Sequence, residues 1–258
     1  MQISLDGRNA LVTGGSLGLG RAIAAEFCEA GANVAIVARR QEILDEAATA
    51  IGSSGNGRVV TIAADVGSAK GCIDAFGAAE QAFGQVDILV NNAGTSATAA
   101  FEDISDDDWQ HDFDLKLFAA IRLSRLALPG MKQRRFGRII NTLNTGAKAP
   151  LGGSAPTAVT RAAGMALTKV LANEGAAHNV LVNAMLVGRI RSDQWVQRAA
   201  ADGVEVEDYY DKMGSQLPMG RLGTEEEFAS LACLLASDRG GYITGTAINV
   251  DGGLCPVV

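Results

Sequence analysis

Asn9-Ala10-Leu11-Val12-Thr13-Gly14-Gly15-Ser16-Leu17-Gly18-Leu19-Gly20 is the stretch whose reading decides the fold. Asn9–Thr13 has the length and side chains of a short buried strand, and Leu19–Glu29 continues as an alanine-rich helix. A strand that enters a glycine-rich turn and leaves it as a helix is the setting of a nucleotide-binding turn. Glycines let the backbone approach a phosphate closely, and the helix N-terminus supplies N–H groups and positive potential.

The same alternation continues along the chain. Further strands are expected at Asn33–Ala38, Val59–Ala64, Ile88–Asn91, Arg138–Thr142, Val180–Leu186 and Ala247–Val250, seven with the first. Helices such as Gln41–Ile51 and Thr157–Gly175 separate them. This order predicts an α/β fold, a single Rossmann-type domain over residues 1–258 with a doubly wound parallel sheet. Ser105 before Asp106, Asp107 and Asp108 reads as a helix N-cap with acids in the first turn.

Composition narrows the functions. The 258 residues are 48% hydrophobic, which fits a packed globular core. Mean hydropathy is +0.14, and no apolar run approaches a membrane span. The start, Met1 to Gly15, lacks the regions of a signal peptide, so cytoplasmic residence is expected. Net charge is −7 without a basic stripe, which argues against nucleic acid as a partner; with no apolar span no membrane partner is expected, and a small-molecule substrate is. Cys28, Cys72, Cys233 and Cys255 lack metal-type spacing and read as inert thiols. With two histidines, His111 and His178, neither a histidine metal centre nor a Ser-His-Asp hydrolase is expected, and no metal site is assigned.

Thr13-Gly14-x-x-x-Gly18-x-Gly20 resembles the glycine motif of the short-chain dehydrogenase/reductase family, and further motifs extend that resemblance over nearly the whole chain. Asn91-Asn92-Ala93-Gly94 resembles the motif after the fourth strand, and Asp65-Val66 the adenine-contacting pair. Val182-Asn183-Ala184, Gly188 and Ile190 fall on the nicotinamide side. Gly220-Arg221-Leu222-Gly223 and Val250-Asp251-Gly252-Gly253 resemble the C-terminal signature. Within the family the chain is similar to 3-oxoacyl-acyl-carrier-protein reductases. The resemblance implies a seven-stranded sheet, a homotetramer, a mobile substrate lid at about 189–219, and a dinucleotide held by Gly14, Ser16, Leu17, Gly18, Leu19, Gly20, Asp65, Val66, Asn91, Ala93, Gly94, Gly188 and Ile190.

Cofactor choice follows from charge. An NAD site places a carboxylate on the ribose about 20 residues beyond the glycine motif. Here Ala38 stands there, followed by Arg39 and Arg40, whose guanidinium groups suit a 2′-phosphate. NADP(H) is favoured over NAD(H), with Arg39 as the main ligand.

The catalytic positions are altered. In the family a serine lies thirteen residues before the tyrosine of Tyr-x-x-x-Lys; matching Arg161-Ala162-Ala163 to Lys-Ala-Ala puts Asn144, Thr157 and Arg161 at the Ser, Tyr and Lys positions. A further family asparagine, counted from Trp109, falls on Lys116, and the proline expected before Gly188 is Val187. Threonine is a poor general acid with a short side chain that leaves a gap. Arg161 keeps the charge and a grip on ribose hydroxyls but does not relay protons. Asn144 keeps an N–H for polarising a carbonyl.

Lys116 is the leading substitute proton donor, its pKa lowered by repulsion from Arg161. Thr145, Lys148, Ser154, Tyr209 and Tyr210 are weaker ones, and Trp195, Met213, Leu217 and Met219 suit an apolar substrate wall. Three readings follow: an NADP(H)-dependent oxidoreductase of a carbonyl or alcohol through a non-standard site, a lyase, dehydratase or isomerase on the same scaffold, and a catalytically silent NADP(H)-binding protein or subunit.

Overall fold

Side chains along the first strand alternate between two cores, and this alternation sets the architecture. In β1 (Asn9–Thr13), Ala10 and Val12 pack on one face of the sheet and Leu11 on the other. β2 (Asn33–Ala38) divides Val34 and Ile36 from Ala35 and Val37 in the same way. A strand apolar on both faces needs helices on both sides, which parallel crossovers supply.

The computed structural model describes residues 3–53 and 55–258, so Met1 and Gln2 of the N-terminal reading lie outside the described residues. After β1 and β2 come β3 (Val59–Ala63) and β4 (Ile88–Asn91), with α1 (Gly18–Glu29), α2 (Gln41–Gly52) and α3 (Ala69–Phe83) between them. A two-residue strand, β5 (Thr98–Ala99), precedes α4 (Asp106–Phe113), a π-helical turn at Asp114–Phe118 and α5 (Ala119–Arg134). Then follow β6 (Gly137–Asn144), β7 (Ala155–Pro156), α6 (Thr157–Gly175) and β8 (Val180–Val187). The chain closes with α7 (Asp193–Ala201), α8 (Val206–Gly214), α9 (Glu225–Ala236) and β9 (Ala247–Val250).

Seven strands form one parallel sheet in the order β3-β2-β1-β4-β6-β8-β9. Phe27 of α1 and Phe228 of α9 fill one core, while Phe76 of α3, Leu123 and Met131 of α5 fill the other. The chain order reverses direction between β1 and β4, and a cleft opens at the strand ends there, as open α/β sheets require.

The expected strands are all present, with two differences that bear on the site. β6 runs two residues beyond Thr142, because Leu143 and Asn144 remain paired with Leu186 and Val187 of β8. β5 and β7 form a separate antiparallel ladder, Thr98 opposite Pro156 and Ala99 opposite Ala155. Two residues carry no periodicity, so this ladder has no sequence signature. Ser105 caps α4 as expected, its hydroxyl accepting from Asp108 N–H at 3.2 Å in a reciprocal capping box. All four cysteines are free thiols; burial pushes Cys72 up to about 11 and Cys233 up to about 12. No described helix is long and apolar enough to cross a membrane.

Candidate functional site

A cleft of about 630 Å³ lies where β1 and β4 part. Thr13 holds its floor: the hydroxyl donates to Val90 O at 3.2 Å and accepts from the N–H groups of Asn92 and Ala93, both at 3.0 Å. The Asn92 carboxamide donates back to Thr13 O at 3.0 Å and Gly14 O at 3.3 Å. The two loops that line the cleft are thereby tied together before any ligand arrives. Gly20 explains the close packing, since a Cβ there would sit 2.1 Å from Gly14 O. Gly18 adopts a φ of +57°, a conformation that disfavours side chains.

Gly14, Ser16, Leu17, Gly18 and Leu19 line this end of the cleft, with Ala93 and Gly94 opposite. Gly188 and Ile190 line it farther along. Gly20 lies behind that surface as a packing residue. Asn91 is not on it either: its amide donates to Asn141 Oδ1 at 2.8 Å and serves strand packing. Arg39, Arg40, Asp65 and Val66 are outside the lining, at the far ends of β2 and β3; both arginines are exposed and Val66 is buried. Val37 O accepts from Gly14 N at 2.8 Å and Gly15 N at 3.2 Å, so the glycine turn leans on the strand end that Arg39 follows.

The other end brings Asn144, Thr157 and Arg161 together on one wall. Asn144 ends β6, Thr157 begins α6 and Arg161 stands one helical turn later. Lys116 comes from the π-helical turn, where the extra residue turns its side chain inward beneath Thr157. Lys116 Nζ donates to Thr157 Oγ1 at 2.8 Å and forms an ion pair with Asp112, both side chains being almost wholly buried. Thr160 donates to the second Asp112 oxygen at 2.6 Å. Thr157 also donates to Ala97 O at 2.7 Å and accepts from Ala97 N at 3.0 Å. The Thr157 hydroxyl is thus fully occupied by Lys116 and the Ala97 backbone.

Arg161 donates to Thr142 O at 2.5 Å. Its guanidinium lies against Gly94, where a Cβ would meet Nη2 at 2.7 Å. Burial brings Arg161 down to about 10, while Asp112 pulls the other way, so it remains a cation at neutral pH. Lys116 is lowered too, as expected, but for a different main reason. Burial is the largest cause and repulsion from Arg161 the smallest, with the Asp112 carboxylate opposing both. Lys116 is absent from the cleft lining, so its ammonium reaches the cleft only through Thr157.

The weaker donor candidates do not gather around this wall. Thr145 lines the cleft, but Lys148 donates to Ala247 O at 2.7 Å and Ser154 to Leu151 O at 2.5 Å. Tyr210 is buried with Leu217 and Leu222, and Tyr209 faces a separate groove beside Trp195 and Met213. Met219 is exposed at another surface depression. Of the apolar wall expected in 189–219, Trp195 alone reaches the cleft, joined there by Ser192 and Arg198.

Asp112 and Thr160 were not expected as site residues. Asp112 did have a signal, an opposite charge four residues before Lys116 on a helix. Thr142, also unforeseen, lines the cleft. Thr142 Oγ1, Asn144 Oδ1 and Arg161 Nε are buried without hydrogen-bond partners among the described residues, and all three belong to this wall. Buried polar atoms are nearly always paired, so a ligand rich in hydroxyl and amide groups is what the wall fits. No group of three or more His, Cys, Asp or Glu placed to hold a metal occurs among the described residues.

Residues 14–255 match the family described as Enoyl-(Acyl carrier protein) reductase. Acetoacetyl-CoA reductase of Shinella zoogloeoides is 34% identical over 246 residues, covering 95% of this chain and 98% of the relative. The 3-oxoacyl-[acyl-carrier-protein] reductase of Escherichia coli is 33% identical over 252 residues, covering 98% and 99%. The crystal structure of L-sorbose reductase from Gluconobacter frateurii, complexed with NADPH and L-sorbose, superposes with a TM-score of 0.95 at 34% identity over 100% of both chains. Motifs, sheet order and relatives agree over nearly the full length: the chain belongs to the short-chain dehydrogenase/reductase family.

Proposed function

We propose that this protein is an NADP(H)-dependent oxidoreductase that interconverts a carbonyl compound and its alcohol, with a site that polarises the carbonyl but holds no acid of its own in the cleft. The observation that carries the reading is the continuous cleft from the glycine turn to Asn144 and Arg161, with three unpartnered polar atoms on its far wall. Support for NADP(H) comes from Arg39 and Arg40 at the end of β2, where no carboxylate stands, and from the NADPH bound by the L-sorbose reductase.

Bound in this cleft, the reduced nicotinamide supplies hydride. The α1 N-terminus and the Gly14–Gly20 turn present backbone N–H groups to a pyrophosphate. Arg161, held by Thr142 O, offers its remaining N–H groups to ribose hydroxyls. The Asn144 carboxamide donates to the carbonyl oxygen as charge builds there. Thr157 contributes order more than chemistry, because its proton is given to Ala97 O. The whole chain acts as one domain, with 189–219 as a lid. Phe118 at the start of α5, Leu126 on α5, and Val159 and Val170 on α6 are exposed apolar side chains suited to contacts in a homotetramer.

The test is the pH dependence of hydride transfer from NADPH to a 3-oxoacyl thioester. Without an acid in the cleft the proton comes from solvent, so the rate rises steadily as pH falls and shows no plateau set by an ionising side chain. A plateau abolished by Lys116→Met would assign the proton to Lys116 acting through Thr157. A second reading, a silent dinucleotide-binding protein, is favoured by the three hydrogen bonds that saturate Thr157. Tight NADPH binding without deuteride transfer to any carbonyl would select it.

A further inference from the structure

We infer that the groove between α7 and α8 seats an oxyanion, carboxylate or phosphate, at the far end of the substrate. The inference rests on the reading of the adjoining cleft as the carbonyl site and names the class of molecule that site takes. The groove holds about 390 Å³ and shares Trp195 and Arg198 with the main cleft. A molecule with its carbonyl at Asn144 and its tail past Trp195 would therefore enter it without leaving the protein surface.

Helical spacing builds the lining. On α7, Trp195 and Arg198 stand three apart, with Asp202 at the helix end. On α8, Tyr209, Lys212 and Met213 occupy i, i+3 and i+4. The opposite side of α8 is already used, since Val206 and Tyr210 pack with Leu217 and Leu222. Trp195 and Met213 also pack against that cluster, so the groove's apolar floor is part of this small core, while Arg198, Tyr209 and Lys212 of the lining stand outside it.

Its charge is unlike that of the rest of the molecule. The chain carries −7 overall, yet among the described residues Arg189, Arg198 and Lys212 line this groove with one acid, Asp202. Neighbouring arginines are neutralised: Arg191 pairs with Glu207 at 3.1 Å and Arg221 with Glu227 at 2.6 Å. Arg198 and Lys212 have no carboxylate within ion-pair distance among the described residues, and Arg189 gives one N–H to the Gln216 carboxamide at 2.9 Å. The Arg198 guanidinium lies 4.8 Å from the centre of the Trp195 ring, and Tyr209 packs on the same ring. An indole that carries an unpaired cation over its face suits a substrate with a flat or apolar middle and an anionic end.

Trp195 reports the test, because Trp109 is the chain's other tryptophan. In NADPH-saturated Trp109→Phe protein, Trp195 fluorescence is titrated with para-acetylbenzoate, para-acetylphenyl phosphate and the neutral para-acetylbenzamide. The anions are expected to bind roughly tenfold more tightly than the amide, and less so in high salt, as partly exposed cations allow. The stronger of the two anions identifies the oxyanion. Lys212→Gln, outside the main cleft, is expected to weaken the preference with NADPH affinity unchanged, and adding Arg198→Gln, at saturating NADPH, is expected to remove it. Equal binding of charged and neutral probes, a preference that survives the double substitution, or no binding by any probe would overturn the inference. Absence of deuteride transfer to the acetyl carbonyl would instead sink the oxidoreductase reading and leave the anion preference standing.

Discussion

The two ends of the cleft are built on different principles. At the glycine turn the groups proposed to bind are backbone N–H groups, and the side chains matter mainly by being absent, as the tight packing at Gly20 shows. At the Asn144 wall everything depends on side chains, and there a buried carboxylate, Asp112, serves the buried Lys116 and the cleft-lining, half-buried Arg161. A backbone site survives divergence of sequence as long as the turn closes. A side-chain site changes its chemistry with each replacement, and here the replacements fit one another.

Asp112→Asn should have the largest effect on that contrast. Losing the counterion leaves Lys116 uncompensated beneath the cleft and weakens the compensation of Arg161 on its wall, a change of about 3–5 kcal/mol in stability by urea unfolding. Adding Lys116→Met to it should recover much of the loss, and a double variant no more stable than the single one would break the counterion account. On the backbone side, Gly20→Ala should cost about 1–3 kcal/mol, because the loop must move off Gly14 O, and should weaken NADPH binding as well.

Thr157→Val separates the two ends further. It strips Ala97 N–H and C=O of their partner and leaves the Lys116 ammonium one bond short, for about 1–3 kcal/mol of stability. NADPH affinity should stay within experimental error. If affinity falls in step with stability, the two ends are one cooperative unit. Arg39→Ala should lower NADPH affinity by about tenfold, the scale of one charge-assisted contact at an exposed site, without changing NADH affinity.

The smallest effect lies away from both ends. Arg221 beside Glu227, together with the Thr224 N–H, holds that carboxyl down to about 2. Because the folded value is depressed, the stabilisation is present above the usual carboxylate range and is lost as pH falls from about 4.5 toward 2. Glu227→Gln should flatten the acid limb of the stability profile slightly, and only slightly, because the pair is exposed to solvent.

The same contrast explains what the sequence revealed. Strand–turn–helix punctuation around Thr13–Gly20 and the short apolar run Ala10-Leu11-Val12 are local patterns, and local patterns mark strands and turns. The grouping of Asn144, Thr157 and Arg161 came from family spacing and is matched by one wall of the cleft. Asp112 was legible in principle as the partner four residues before Lys116, but its exposure was not: a charged pair on a helix is ordinarily solvated, and the π-helical turn carries this one inward. The Thr157–Ala97 bridge spans 60 residues and depends on the β5–β7 ladder, so no nearby pattern encodes it. Asn91 belonged to a recognised motif, yet its contacts with Asn141 make it a packing residue outside the cleft lining.

Single-turnover transfer of deuteride from labelled NADPH to a 3-oxoacyl thioester, measured in the parent and in Asn144→Ser/Thr157→Tyr/Arg161→Lys/Lys116→Asn, tests the central claim most directly. Both proteins should bind NADPH comparably, with transfer in the parent slower by about two to four orders of magnitude, the usual worth of a positioned acid. Transfer as fast in the parent as in the restored protein would contradict the claim, because an acid would then already be present in the cleft.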